Sequence, residues 1–142
     1  MAIAGNSLRK LRAFRRSEGG SSTVEFVLWL PLVVMVLMLV VDASMLFMTR
    51  SHAISVLQDT NRLYSVGQFT GDTAEDRLEK AEDYALARLS PFSESATAVT
   101  TEVNRVVRTE ATMETSEIAN IGFLGTLIDV TMTISAEHRV EF

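Results

Sequence analysis

The chain has 142 residues, no cysteine and a formal net charge of −5 at pH 7. Without thiols it holds no disulfide and no thiolate metal site, and its acidity argues against nucleic-acid binding, which needs a basic surface. Beyond Met48 there remain about 94 residues, enough for one domain with a modest core.

The N-terminal stretch is basic. Over residues 1–20, Arg9, Lys10, Arg12, Arg15 and Arg16 stand against Glu18 and leave a net charge of +4. Leu8, Leu11 and Phe14 recur at helical spacing among these cations. The segment reads either as a solvated cytoplasmic leader or as an amphipathic stretch resting on anionic lipid.

Phe26–Val41 follows, sixteen residues with no charged or polar side chain. As a helix it spans about 24 Å, short of the roughly 30 Å hydrocarbon layer of a bilayer. Extension to Met48 crosses only Asp42 and Ser44 as polar interruptions and reaches about 34 Å, one membrane span. A buried core helix would show a polar face, and this run has none over four turns. Pro31 removes an intrahelical hydrogen bond and crowds the carbonyl of Val27, which predicts a kink there. Membrane helices tolerate such prolines.

The cations before the span, with Arg50 and Arg62 next after it, set the orientation. The positive-inside rule keeps the N-terminus in the cytoplasm and sends residues 49–142 across. A secretory signal peptide shares the charged-then-apolar order, and Val41-Asp42-Ala43 passes as a small-residue cleavage site. Against it, the apolar run exceeds the usual signal length and Glu25 stands directly before it. Arg15-Arg16 suits a twin-arginine signal poorly, because Glu18 and two glycines follow.

Helical pattern continues past the span. Ala53, Leu57, Thr60 and Tyr64 share one side with Ile54 beside them, while Ser51, Gln58, Asp59 and Arg62 cover much of the rest. One helix from about Ser22 to Val66 is predicted, with Gly67 and Gly71 as stop signals. Residues 72–90 form a second helix. Asp72 or Thr73 caps it with Glu75 or Asp76 three residues on, acids crowd its first turn, and Ser90-Pro91 ends it. Ala74, Leu78, Ala81, Ala85 and Leu89 mark its narrow apolar face. Its acids Glu75, Asp76, Glu79, Glu82 and Asp83 read as a solvated face, since no calcium loop accompanies them.

From Ser95 the period changes to two. Val99, Thr101 and Val103 alternate with polar neighbours, Val106 and Val107 follow, and Ala111 and Met113 alternate again. Ile128, Val130, Met132, Ile134 and Ala136 point one way and Asp129, Thr131, Thr133, Ser135 and Glu137 the other, a phase that continues through Val140 and Phe142. About three antiparallel strands with one wet face fit this pattern. Between them, Glu117–Gly125 is a less polar connection whose Ile118, Ile121, Phe123 and Leu124 either cover the sheet as core or touch a partner.

No catalytic or metal motif is found. His52 and His138 have no ligand spacing, no serine sits in a nucleophile elbow, and no glycine loop has the lysine that phosphate binding requires. No cofactor is implied. Met35, Met38, Met45 and Met48 are apolar filler in and just after the span. The chain reads as the substrate of an enzyme, not as an enzyme.

Gly20-Ser21-Ser22-Thr23-Val24-Glu25-Phe26 resembles the processing site of type IV prepilins of the Tad (tight adherence, Flp) class: a glycine before the cut, a glutamate five residues after it and an aromatic next. With Leu30-Pro31 and the basic leader, residues 15 to about 48 are similar to TadE-like minor pseudopilins. The resemblance implies that a prepilin peptidase cuts between Gly20 and Ser21 on the cytoplasmic side, where glycine and serine let the backbone enter a protease cleft in extended form. The cut removes the leader, leaves a side-chain charge of −9 and frees an amine on Ser21. It implies that Glu25, with Phe26 beside it, pairs with the N-terminal amine of a neighbouring subunit and sets axial register. A carboxylate costs around 2.5–3.5 kcal/mol at the bilayer centre and less near the edge, so it seeks a partner. In the plainer alternative, Glu25 marks the cytoplasmic edge of an ordinary span and complements the helix N-terminus.

The expectation is thus an α+β protein in three parts. Residues 1–20 are a cytoplasmic prepilin leader, 21–48 a transmembrane helix and 49–142 a periplasmic or extracellular domain. Implied partners are prepilin peptidase, other Tad minor pseudopilins and pilin subunits, the inner-membrane Tad assembly platform and the lipid bilayer. The length favours a minor role, since major pilins of this class are usually much shorter. An uncleaved bitopic protein with a periplasmic sensor or scaffold domain is the alternative, and a domain secreted after a cut near Ala43 is the third.

Overall fold

A backbone in hydrocarbon has no water to bond, so a single span satisfies its own peptide groups as a helix. The computed structural model describes residues 19–119 and 130–141, and its first element, α1, runs over Gly19–Ser65. The helix continues through Pro31. It ends where glycine was expected to end it. Gly67 has φ 72°, its N–H donates to the Tyr64 carbonyl (2.9 Å), and the Gln68 N–H donates to the Leu63 carbonyl (2.9 Å). These two reversed bonds form a Schellman cap, which needs a left-handed residue that glycine adopts without strain.

The second helix, α2 (Ala74–Leu89), carries a full capping box. The Asp76 N–H donates to Thr73 Oγ1 at 3.1 Å, and the Thr73 N–H donates to Asp76 Oδ2 at 3.2 Å. Ala81, Ala85 and Leu89 of the expected face are buried, Leu78 is half-buried and Ala74 is exposed.

Three strands follow, β1 (Thr97–Val103), β2 (Val106–Glu114) and β3 (Thr131–Arg139), in one antiparallel sheet of order β1-β2-β3. Asn104 and Arg105, at φ 54° and 62°, form the two-residue turn between β1 and β2. Positive φ at both positions is what a hairpin turn of matching twist demands. A four-residue helix, α3 (Thr115–Ile118), leaves β2.

The phase of β1 departs from expectation. Val99 and Val103 are 56% and 64% exposed, while Ala98 and Thr100 are buried. Register explains it: Ala98 lies opposite Ala111, which lies opposite Ile134, and Thr100 lies opposite Thr109, which lies opposite Ala136. The inner face takes small residues so that helices can approach, and Thr100 meets the Thr109 hydroxyl at 3.0 Å. The valines therefore lie on the wet face. Val106 and Val130 are also exposed, against the expectation for Val130. The leader cations with Leu8, Leu11 and Phe14, and Ile121, Phe123, Leu124, Ile128 and Phe142, lie outside the described residues.

The chain divides into two units, one ending at Leu37 and one running from Met38 to Phe142. In the first, the described residues are helix alone. The second has a core of Ala53, Val56 and Leu57 from α1, Ala85 and Leu89 from α2, and Ala111, Met113 and Ile134 from the sheet. A smaller cluster joins Tyr64, Ala81, Val107 and Val140. Between them Asn61 is fully buried and bonded on both sides. Its Nδ2 donates to the Ala136 carbonyl (2.7 Å), and Thr109 Oγ1 donates to its Oδ1 (2.6 Å).

Asn61→Ala leaves a buried hydroxyl and a buried carbonyl without that amide. Urea unfolding of the full-length protein in micelles should show a loss of about 1–3 kcal/mol. A variant as stable as the parent would contradict the anchoring role of Asn61.

Candidate assembly segment

The segment of interest is built on one helix face and one helix end. Gly19, Gly20 and Ser21 form the first turn of α1, so the helix begins a few residues before the expected Ser22. A peptidase needs extended backbone at its cut. A terminal turn that opens with two glycines unwinds at little cost, because each gains much conformational freedom on leaving the helix.

Ser21 and Glu25 are four residues apart, hence on the same face, about 6 Å apart along the axis. An amine created on Ser21 would stand one turn from the Glu25 carboxylate. Glu25 is exposed, as is Phe26 beside it, and among the described residues Glu25 forms no ion pair. Pro31 lies on the exposed helix a turn and a half further on.

Every residue from Thr23 to Val41 is exposed. The large apolar side chains range from Val34 at 41% to Leu28 at 71%. No face of this stretch is buried among the described residues, unlike the helix of a protein core. Among the described residues this is the one helix long and apolar enough to cross a membrane.

The C-terminal half of α1 works differently. Its polar side chains tie the helix to the elements around it. The Tyr64 hydroxyl donates to Glu102 Oε2 on β1 at 2.7 Å. On α2, the Tyr84 hydroxyl donates to Asp59 Oδ2 at 2.8 Å and Arg88 pairs with the same oxygen at 3.3 Å, its guanidinium 4.1 Å from the Tyr84 ring centre. Glu82 of α2 accepts from the Thr100 N–H at 2.6 Å. Glu117 of α3 accepts from the Ser95 N–H (3.1 Å), the Ser95 hydroxyl (3.0 Å) and the Ser93 hydroxyl.

Periodicity identified Tyr64 as inward-facing but did not identify Asn61 or Glu117 as anchors. Asn61 carried a usable signal: it is an amide four residues after Leu57 and three before Tyr64, on the helix side that packs inward.

These bonds shift the ionisable groups. Burial, then the bond to Glu102 and its charge, pushes the Tyr64 phenol up to about 12. Tyr84 is raised by burial and by its bond to Asp59. Glu117 is held below the usual carboxylate range, chiefly by the Ser93 hydroxyl and the Ser95 N–H.

The fold and segment define a class: an α+β protein with a single apolar N-terminal helix, as expected of a single-pass membrane protein. Residues 20–62 match a family model described as TadE-like protein. The matched span opens on Gly20, covers the apolar run and ends within the C-terminal half of α1, less than a third of the chain. Over that stretch the chain is similar to the TadE-like family. No curated protein and no solved structure matches the chain significantly.

The two tyrosines give a pH test. A phenol whose value is raised on folding favours the folded state while protonated. Its contribution is complete below the ordinary value of 10 and is lost as pH rises toward about 12. Phenolate absorbance should therefore show both tyrosines titrating above 10, and alkaline unfolding should be shallower in Tyr64→Phe. An identical alkaline slope in that variant would contradict the Tyr64–Glu102 contact.

Proposed function

We propose that the protein is a minor pseudopilin of a Tad/Flp pilus. It enters the bacterial inner membrane with its N-terminus in the cytoplasm and its C-terminal domain in the periplasm. Prepilin peptidase cuts it after Gly20, and the assembly platform then brings it together with other minor pseudopilins and pilin subunits. The pilus serves surface attachment. The observation that carries this reading is the TadE-like match, which starts at Gly20 on a helix whose residues Thr23–Val41 are exposed.

Each residue has a role in that sequence of events. Gly20 and Ser21 supply the scissile bond, and the cut converts Ser21 into a positively charged terminus. Glu25 takes the amine of a neighbouring subunit, because a lone carboxylate inside a bundle of apolar helices is costly and an amine at its level removes most of that cost. Pro31 lets the helix bend as it packs. The chain acts here as the substrate of a peptidase and then as a structural subunit.

Two variants separate the steps in a host that makes pili. Gly20→Val places a branched side chain at the cut and should leave a full-length chain that does not reach the pilus fraction. Glu25→Ala should be cut normally but enter that fraction roughly tenfold less, the effect of about 1.4 kcal/mol of lost pairing. Normal incorporation of uncut Gly20→Val would rule out processing as a requirement. Normal cleavage and incorporation of Glu25→Ala would rule out the pairing role.

A further inference from the structure

We propose that a groove in the Met38–Phe142 unit, beside the middle of α1 where the apolar run ends, is a phospholipid site that takes an acyl chain and an anionic headgroup. The proposal rests on α1 being inserted in a membrane, as proposed above. The groove has a volume of about 380 Å³ and is lined by Ala43, Leu46, Phe47, Val130 and Met132, with Arg50 and Thr115 as its polar residues. That volume falls within the ~300–1,000 Å³ of small-molecule sites.

Depth argues for lipid. Phe47 is 21 residues beyond Phe26, which places it about 32 Å further along a helix. The hydrocarbon layer is roughly 30 Å thick, so Phe47 sits at its outer boundary, where aromatic side chains are favoured. The exposed apolar surface of α1 also resumes here. Asp42 turns inward and is fully buried, whereas Phe47 is 72% exposed with Met48 exposed beside it. The groove thus opens beside exposed apolar side chains of α1.

Charge argues for an anionic headgroup. Arg50 lies one helical turn beyond Phe47, on the same side and further from the hydrocarbon. It is exposed and forms no ion pair among the described residues. A guanidinium presents two parallel N–H donors that match a phosphate, and its aliphatic stem can lie along the apolar wall. The arrangement has the polarity of a phospholipid: apolar floor toward the membrane, cation at headgroup level.

The test uses the full-length chain in nanodiscs of phosphatidylglycerol and phosphatidylethanolamine, with a benzophenone photo-crosslinker placed at Val130. The same group at Val33, in the span, and at Ser135, on the outer sheet face, serves as reference. Lipid adducts should form at Val33 and Val130 and not at Ser135. Lipid adducts at Val33 with none at Val130, protein adducts alone at Val130, or equal lipid adducts at Ser135 would overturn the groove proposal and leave membrane insertion standing. Absence of lipid adducts at Val33 would overturn both. Arg50→Gln should lower the phosphatidylglycerol share of the Val130 adducts roughly fivefold, since a cation near an anionic surface is worth about 1 kcal/mol. An unchanged share would overturn the headgroup contact.

Discussion

One constraint governs this molecule: a helix fit to cross hydrocarbon must bond its own backbone, and here that helix does not stop where its apolar run ends. The same α1 that is uncovered from Thr23 to Val41 becomes, from Ala53 onward, a wall of the outer unit's core. Sequence periodicity changes accordingly. The first half is apolar all round and exposed, as expected of a membrane span. The second half is two-faced because its own domain covers one side and water the other.

The outer unit is attached to this helix by polar contacts as well as apolar ones. Asn61 bonds to β2 through Thr109 and to β3 through Ala136, Tyr64 to β1 through Glu102, and Asp59 to α2 through Tyr84 and Arg88. The buried amide contributes most to uniqueness. A hydrophobic surface tolerates small shifts of helix against sheet, whereas Asn61 is satisfied in one register only. The exposed ion pairs, Arg108 with Glu110 and Glu137 on the wet face, contribute little by comparison. Residues 53–65 of α1, α2 and the sheet are therefore held together as one piece within the Met38–Phe142 unit.

Much of this was legible in the residues. The C-terminal limit of α1 and both limits of α2 followed from Gly67, the Thr73–Asp76 box and Pro91, each a local rule with a local cause. The inward positions Ile134 and Ala136 followed from strict alternation. What escaped was set by partners distant in sequence. Val99 and Val103 looked like core by hydrophobicity, but Ala98 and Thr100 are inside because the inner face must be small and because Thr109 supplies a hydroxyl for Thr100. The Asn104-Arg105 turn lacks the glycine that usually marks such hairpins, and α3 is too short to show a period. For the N-terminal segment, the order of cations, glycine pair, Glu25 and apolar run pointed to the TadE-like family, which then matched residues 20–62.

The claim at the centre is that this helix is released from a leader at Gly20 and then used for assembly. The most direct measurement is the intact mass of the membrane-bound protein from a host with and without its prepilin peptidase. A chain beginning at Ser21 only when the peptidase is present is the expected result. A full-length chain in both would contradict it and leave an anchored domain, and a chain beginning near Ser44 in both would mean ordinary secretion.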